Sequence, residues 1–306
     1  MRRGVPWQAQ FALLAVIWGL SFTFIKLGNR SFDPLQVSFG RMLVGLAVLA
    51  AIVAVRRERL PRGLRAWWHI LVVSALFNSV PMSLFAWSET RVSSIVAGIW
   101  NGTTPLFVLL AVLLVFPEER PTRERAAGLA VGFAGVVVVL GPWSGIEAGD
   151  VLGHVAAMGA AVCYGIGFPY MRRHVASMEA TGIALSFGQI LCAAVSLALV
   201  VPFTTDAPSS YRLDAVLAVC ALGALGTGLA YVLQYAVLRA AGTTSASTVT
   251  YVIPVVAAGA GIVFLGESMS WNEPVGAVVV LAGVALSQGL LRYAPGRASP
   301  RAAGRP

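Results

Sequence analysis

The chain has 306 residues, of which 58% are hydrophobic and only 11% are charged, and its formal net charge is +9. About a quarter of the residues of a soluble domain are charged, so this composition excludes an ordinary soluble fold and favours a protein embedded in lipid. The positive charge does not indicate a nucleic-acid partner, because the basic residues stand in short clusters between apolar segments, as in the loops of membrane proteins.

Apolar segments of about 20 residues, the length that crosses a bilayer as a helix, recur along the whole chain. The first runs from Trp7 to Ile25 without a charge, so we predict a retained membrane helix rather than a cleaved signal peptide. Backbone groups inside a bilayer must be paired within each segment, which makes these segments helices. Ten are predicted, over residues 7–27, 34–55, 67–88, 92–115, 125–142, 151–171, 180–202, 215–237, 243–265 and 274–292.

The placement of basic residues predicts the orientation. With the N-terminus inside, the inner connections hold 17 basic residues and the outer connections hold four. Cytoplasmic loops are enriched in Arg and Lys, so we expect an all-α integral protein of the cell membrane, with ten transmembrane helices and both termini cytoplasmic. Residues 294–306 are basic and rich in Pro and Gly, and they are expected to form a disordered cytoplasmic tail.

The two halves of the chain resemble each other at a shift of 146–149 residues. Pro105 corresponds to Pro254, Glu119 corresponds to Glu267, and further short matches keep the same order. Each half holds five predicted helices; because five is odd, the second half must be inserted upside down. Inverted repeats are typical of secondary transporters, whose substrate site lies near the midplane between the repeats. The two predicted inverted five-helix repeats are residues 1–145 and 146–293.

These residues also resemble the EamA-type pattern of the drug/metabolite transporter superfamily. Leu265-Gly266-Glu267 followed by Gly276 resembles the turn and glycine-rich closing helix of an EamA repeat, and Glu119 followed by Gly128 resembles it in the first half. The first half departs from the pattern by one extra residue in its Phe116–Glu119 turn. The resemblance also includes the Trp18-Gly19-Leu20-Ser21-Phe22 and Phe39-Gly40-Arg41 segments and covers about residues 7–292. It implies a ten-helix carrier, often an exporter of amino acids, other metabolites or drugs.

Pro105 and Pro254 lie near the centres of the fourth and ninth predicted helices. Proline lacks an N–H and clashes with the carbonyl one turn back, and backbone freed at this depth is tolerated only where it faces protein or a cavity. We therefore expect kinks that line a substrate cavity, with purely structural kinks as the alternative. The polar neighbours expected in the same cavity are Trp100, Asn101, Thr103, Thr104, Thr248, Thr250 and Tyr251.

Arg41 is the only charged residue well inside a predicted helix. A charge at such a depth costs about 2.5–3.5 kcal/mol on insertion scales, so it needs a partner. That partner is either an anionic group of a substrate or the carbonyls of neighbouring helices, and the alternative is a side chain that extends to the interface. Trp18, Asn78, Tyr164 and Tyr231 are further candidates for the cavity, with helix packing or an interfacial position as the alternative.

Acidic residues are predicted only in loops and at helix ends. None lies at mid-membrane, where a carboxylate that relays protons usually sits, so we predict facilitated diffusion or exchange without proton coupling through a carboxylate of the bundle core. Glu119 and Glu267 are interpreted as caps that pin the hairpins. Glycines such as Gly128, Gly132 and Gly135 are interpreted as positions of close helix packing.

The predicted function is secondary transport of a small metabolite, such as an amino acid or a related compound, with the substrate and the lipid bilayer as partners. The alternatives are a carrier for drugs or toxic compounds, a channel, and a membrane-embedded scaffold or enzyme; a homodimer is compatible with the glycine faces. We expect no enzymatic activity, no cofactor and no metal site. The chain has no Walker motif and no acid/base or metal-ligand cluster, and its three cysteines, Cys163, Cys192 and Cys220, lie in apolar segments.

Overall fold

A computed structural model describes residues 6–115, 122–141, 143, 148–175, 177–208, 210–247 and 249–287, which are helical with short connections and contain no strand. Glu119, Thr248 and the C-terminal tail lie outside these residues. The helices are α1 Trp7–Gly28, α2 Pro34–Arg56, α3 Leu64–Ser74, α4 Val80–Ser88, α5 Ser94–Gly102, α6 Thr104–Val115, α7 Arg123–Leu140, α8 Ala148–His174, α9 Gly182–Thr204, α10 Leu213–Gly223, α11 Ala230–Ser247, α12 Val249–Leu265 and α13 Asn272–Ser287.

Seven helical segments of the described chain are long and apolar enough to cross a membrane. The other long helices are α7, with 18 residues and a charged first turn, and the apolar helices α12 and α13, with 17 and 16 residues. Each of the ten predicted ranges overlaps a helix or a run of adjoining helices. The seven segments are 7–28, 34–56, 64–88, 94–114, 150–174, 182–204 and 213–237.

Side-chain caps begin several of these helices where a polar residue precedes the apolar run. Asp33 accepts from the backbone N–H of Leu35 at 2.9 Å, and Gln36 accepts in return from the N–H of Asp33 at 3.0 Å, which forms a capping box at α2. The side chain of Thr181 caps α9 by accepting from the N–H of Ala184. These caps pair N–H groups that the first turn of a helix leaves without partners.

Two π-helical segments interrupt the helices at equivalent positions of the two halves. The first π segment, Ala75–Ser79, joins α3 to α4, and the second π segment, Ala224–Leu229, joins α10 to α11. They begin 149 residues apart, which falls within the shift of the sequence repeat. Single π turns inside α-helices occur frequently at functional sites. Both segments are therefore candidates for parts of a substrate site.

Glycines allow α7 and α13 to pack with their backbones in contact. A Cβ placed on Gly135 would lie 2.6 Å from the backbone nitrogen of Val280 and 3.0 Å from the carbonyl oxygen of Gly276. A Cβ placed on Gly128 would clash with the backbone nitrogen of Ser287. The predicted packing role of these glycines is confirmed, because no larger residue fits between the two backbones.

The helix α5 lies against α12, which contains Pro254, whereas Pro105 belongs to α6. A Cβ on Gly102 would lie 2.8 Å from Cγ of Pro254, and a Cβ on Gly98 would lie 2.6 Å from Cβ of Ala257. The helix is interrupted between Gly102 and Thr104, whereas α12 continues as a helix through Pro254. The interruption at Thr103 is stabilised by its hydroxyl, which donates to the carbonyl of Trp100 at 2.7 Å.

Candidate substrate site

A central aromatic cluster brings together four of the predicted site residues. Trp18 of α1, Trp100 of α5, Tyr164 of α8 and Tyr251 of α12 all contact one buried apolar core. Two of these helices belong to the first half of the chain and two to the second. These four residues therefore meet between helices of the two halves, and the other predicted site residues lie elsewhere, as described below.

Arg41 is held by the second π segment. It is only 5% exposed; its Nε donates to the hydroxyl of Thr227 at 3.0 Å and its Nη2 donates to the carbonyl of Gly226 at 3.1 Å. The indole of Trp18 donates to the same carbonyl at 3.3 Å. Of the partners considered for Arg41, the described structure therefore provides a carbonyl and a hydroxyl of a neighbouring helix, which satisfy part of its donor capacity inside the bundle.

Asn78 and Tyr231 form a second polar contact between the halves. The hydroxyl of Tyr231 donates to Oδ1 of Asn78 at 2.6 Å. Asn78 is fully buried in the first π segment, and its Nδ2 has no acceptor. The neighbouring ring of Phe77 lies 5.7 Å from that of Tyr164, so this contact adjoins the central cluster. A buried amide group without a partner is costly and is suited to bind a polar group of a ligand.

Two hydroxyls of predicted site residues are buried without hydrogen-bond partners: those of Thr104 and Tyr251. The neighbouring predicted residues Asn101 and Thr250 are partly exposed.

Trp100 has a partner that the sequence had not indicated. Its indole donates to Nδ1 of His154 at 3.0 Å.

The sequence-based prediction missed a group of polar side chains at the C-terminal end of α4. Glu89, directly after α4, is buried, and the hydroxyls of Ser88 and Thr23 are buried without partners. Lys26 of α1 donates to two backbone carbonyls of the same connection. The sequence feature that could have indicated this group is Glu89 itself, an acidic residue that stands directly between two apolar segments.

Glu267 caps a helix, but that helix is α5 of the other half and not part of its own hairpin, as the sequence had suggested. Its carboxylate accepts from the N–H and the hydroxyl of Ser94 at 2.9 and 2.8 Å, and from the N–H of Ile95 at 3.3 Å. These groups form the first turn of α5, so Glu267 pairs N–H groups that would otherwise lack partners. The contact joins the α12–α13 connection of the second half to the start of α5 in the first half.

A groove of about 1010 Å³ lies beside the central cluster, between α2, α4, α8 and α9. Its wall is mostly apolar, and it extends from the start of α2 to the first π segment. None of the predicted site residues lines it. Ligand pockets for small molecules measure about 300–1,000 Å³, so the groove has room for one. The residues that give it polar character include Asp33, Ser79, Ser83, Ser196 and Thr204.

Comparison with known proteins identifies the family. The model of the EamA-like transporter family matches the chain twice, over residues 6–141 and 151–288. The chain belongs to the EamA-like transporter family. The two matches also establish two EamA repeats in one chain, which were predicted from the internal shift.

Curated relatives of this EamA-like chain are described as transporters. Two uncharacterized transporters of Archaeoglobus fulgidus are 26% and 29% identical to it over 275 and 284 residues, which cover 89% and 90% of this chain and 95% of each relative. An uncharacterized inner membrane transporter of Escherichia coli, YedA, is 26% identical over 295 residues, covering 93% of this chain and 91% of the relative. The chain is therefore a multi-pass membrane protein related to transporters.

A solved crystal structure shares the fold of this EamA-like chain. The two superpose with a TM-score of 0.65 and 21% sequence identity, over 93% of this chain and 98% of the other. Identity at this level shows the fold alone. The superposition covers nearly the whole of both chains, so the fold described here extends through both EamA repeats.

Proposed function

We propose that this EamA-like protein is a secondary transporter that exports or exchanges a small metabolite, such as an amino acid or a related compound, across the cell membrane. Its two repeats would be inverted five-helix units, over residues 1–145 and 146–293, with ten membrane crossings and both termini in the cytoplasm. Substrate would bind between the repeats and be exposed to each side in turn.

The observation that carries this proposal is the pair of hydrogen-bonded contacts between the repeats at the two π segments. Arg41 and Trp18 of the first repeat bind the second π segment, and Tyr231 of the second repeat binds Asn78 in the first π segment. Arg41, Asn78 and Thr227 are buried, and the contacts adjoin the aromatic cluster. Polar groups that link the two repeats are well placed to respond to a polar substrate bound between them.

The chemistry of the contacts favours a small substrate with a polar or anionic end and an apolar end. Arg41 supplies a positive charge, and Asn78 and the hydroxyl of Tyr251 offer groups that have no partner. Trp18, Trp100 and Tyr164 supply apolar surface around them. An amino acid combines a carboxylate, which Arg41 and the Asn78 amide can attract, with an ammonium group, to which the hydroxyls of Thr104 and Tyr251 offer acceptors.

A carrier for drugs or toxic compounds is the second candidate, and the groove beside the first π segment favours it. The groove is largely apolar and larger than an amino acid requires. A hydrophobic compound could enter it between α4 and α8. The two candidates differ in which residues should affect transport. Residues of the central cluster should affect transport of a metabolite, and residues of the groove, such as Ser83 and Gly159, should affect transport of a hydrophobic drug.

Counterflow in proteoliposomes tests the proposal. Purified protein is reconstituted with a mixture of unlabelled amino acids inside, and labelled amino acids are added outside. We expect saturable accumulation that Asn78→Ala weakens and that Arg30→Gln, a change in an exposed ion pair, leaves unchanged. If no amino acid accumulates while labelled hydrophobic cations do, the drug carrier is the correct assignment.

A further inference from the structure

Glu89 is buried at the end of a membrane-spanning segment. It directly follows α4, in the short connection to α5, and only 1% of its surface is exposed. Within the described ranges, Arg41 and Glu89 are the only charged residues that are buried. Arg41 has hydrogen-bond partners in the second π segment, so Glu89 is the group whose burial requires an explanation.

Neither carboxylate oxygen of Glu89 accepts a well-formed hydrogen bond. Lys26 lies nearby, but its ammonium donates to the backbone carbonyls of Glu89 and Val92, at 2.6 and 2.8 Å, rather than to the carboxylate. The adjacent hydroxyl of Ser88 also has no partner. An ionised carboxylate without hydrogen bonds in a dry interior costs several kcal/mol, whereas a protonated one costs far less.

The charged groups that face Glu89 come from three other elements. Lys26 of α1 and Arg41 of α2 favour its ionised form, and Glu267 of the α12–α13 connection opposes that form. Burial is the largest effect and raises the pKa of Glu89 well above its usual range, while Lys26 acts in the opposite direction. Burial therefore favours the protonated form of this side chain more than exposure to water does.

A second buried polar side chain belongs to the helix that carries Lys26. Thr23 lies one turn before Lys26 on α1, and its hydroxyl is buried without a partner. Glu89 is not among the residues that line the groove beside α4. The conformation described here therefore keeps the carboxyl group of Glu89 apart from that groove.

We propose that Glu89 is the proton-binding residue that couples this carrier to the pH gradient. Its carboxylate takes up one proton from water on one side of the membrane and holds it as an O–H bond in the enclosed conformation described here. That O–H bond breaks when the carrier opens to the other side, and the proton passes to water there. One proton therefore crosses the membrane in each transport cycle. This inference rests on the proposed transport function. It departs from the sequence-based expectation of facilitated diffusion or exchange, but it places the coupling group at a helix end and not in the bundle core.

A pH gradient across the proteoliposome membrane tests the coupling. With one proton per solute molecule, a gradient of one pH unit supports up to about tenfold accumulation. We expect Glu89→Gln to retain counterflow at equal pH and to lose the accumulation driven by the gradient, and Glu89→Asp to retain both. Glu179→Gln is the control, because Glu179 is an exposed acidic residue and its replacement should change neither the counterflow nor the accumulation driven by the gradient.

The outcomes separate this inference from the transport function itself. Wild-type protein that performs counterflow but ignores the pH gradient overturns the coupling and leaves the carrier intact, as does a Glu89→Gln variant that accumulates solute like the wild type. Absence of counterflow for every solute removes the transport function. Infrared spectroscopy then tests Glu89 without any substrate. In the difference between the wild-type and Glu89→Gln spectra at neutral pH, where exposed carboxyl groups are ionised, we expect a carboxylic acid C=O band that only the wild type shows, and the absence of that difference overturns the assignment.

Discussion

Asn78 and Thr227 occupy equivalent positions in the two halves, and each accepts a hydrogen bond from the opposite half. Each is the fourth residue of its π segment. Oδ1 of Asn78 accepts from Tyr231 at 2.6 Å, and the hydroxyl of Thr227 accepts from Arg41 at 3.0 Å. The two halves are therefore joined by a reciprocal pair of contacts, although the side chains that form them differ. A conformational change between the halves must break or rearrange both contacts.

Replacement of Arg41 by Lys should destabilise the protein although the charge is kept. An ammonium cannot reach the Gly226 carbonyl and the Thr227 hydroxyl with the fixed fork of a guanidinium. Hydrogen bonds to charged groups contribute about 1.5–3 kcal/mol, so we expect a clearly lower melting temperature in detergent. Arg30→Lys is the control, since Arg30 forms an exposed ion pair with Asp214 and such pairs contribute about 0–1 kcal/mol. Equal melting temperatures for the two variants would contradict the role assigned to Arg41.

Removal of the Tyr231 hydroxyl should impair substrate exchange more than it impairs folding. Tyr231→Phe leaves Oδ1 of Asn78 buried without its donor, at a cost of about 1–3 kcal/mol. We expect a moderately lower melting temperature, and a higher solute concentration for half-maximal counterflow because the Asn78 amide loses its fixed orientation.

The control for Tyr231 is Tyr211→Phe, which removes the hydroxyl of a tyrosine that is 72% exposed. It should change neither the melting temperature nor the counterflow. If Tyr231→Phe lowers stability but leaves the half-maximal concentration unchanged, the Asn78–Tyr231 contact is structural and does not belong to the substrate site.

The helices of this protein could be predicted because each is a long apolar segment with polar residues at its ends. The first prediction, residues 7–27, differs by one residue from α1, Trp7–Gly28. The depth of Arg41 also indicated that it needs a partner, since a charge is costly at that position. Which partner it finds depends on residues 185 and 186 positions away in the chain, and no local pattern contains that information.

The π segments and the burial of Glu89 could not be predicted, because neither is determined by the local sequence. The sequences Ala75–Ser79 and Ala224–Leu229 share only their first two residues and have no composition that distinguishes a π turn from an α turn. Glu89 looked like an ordinary loop acid. It is buried because Lys26, 63 residues earlier, binds its carbonyl and holds the connection against α1.

Replacement of Glu267 should loosen the start of α5. Glu267→Ala removes the acceptor of the backbone N–H groups of Ser94 and Ile95, and the loss of a helix cap costs about 0.5–2 kcal/mol. We expect faster hydrogen exchange at these two amides and a lower melting temperature. Glu179→Ala is the control, because Glu179 is exposed and its loss should change neither measurement. Unchanged exchange at Ser94 and Ile95 would show that other groups cap this helix.

Replacement of Gly135 by Ala should separate α7 from α13. The new Cβ would lie 2.6 Å from the backbone nitrogen of Val280, and a backbone cannot move aside as the end of a flexible side chain can. Overpacking of this kind costs about 1–3 kcal/mol, so we expect a lower melting temperature in detergent.

The matched control is Gly259→Ala in α12, where a Cβ meets no atom within 4 Å. Alanine is favoured over glycine inside a helix by about 0.5–1 kcal/mol, so this variant should be as stable as the wild type or slightly more stable. Opposite shifts for the two alanine variants would assign the effect of Gly135→Ala to the α7–α13 contact rather than to helix propensity, which is the same for both. If Gly135→Ala is also neutral, the two helices can move apart at no cost, and the close backbone contact does not determine the stability of the bundle.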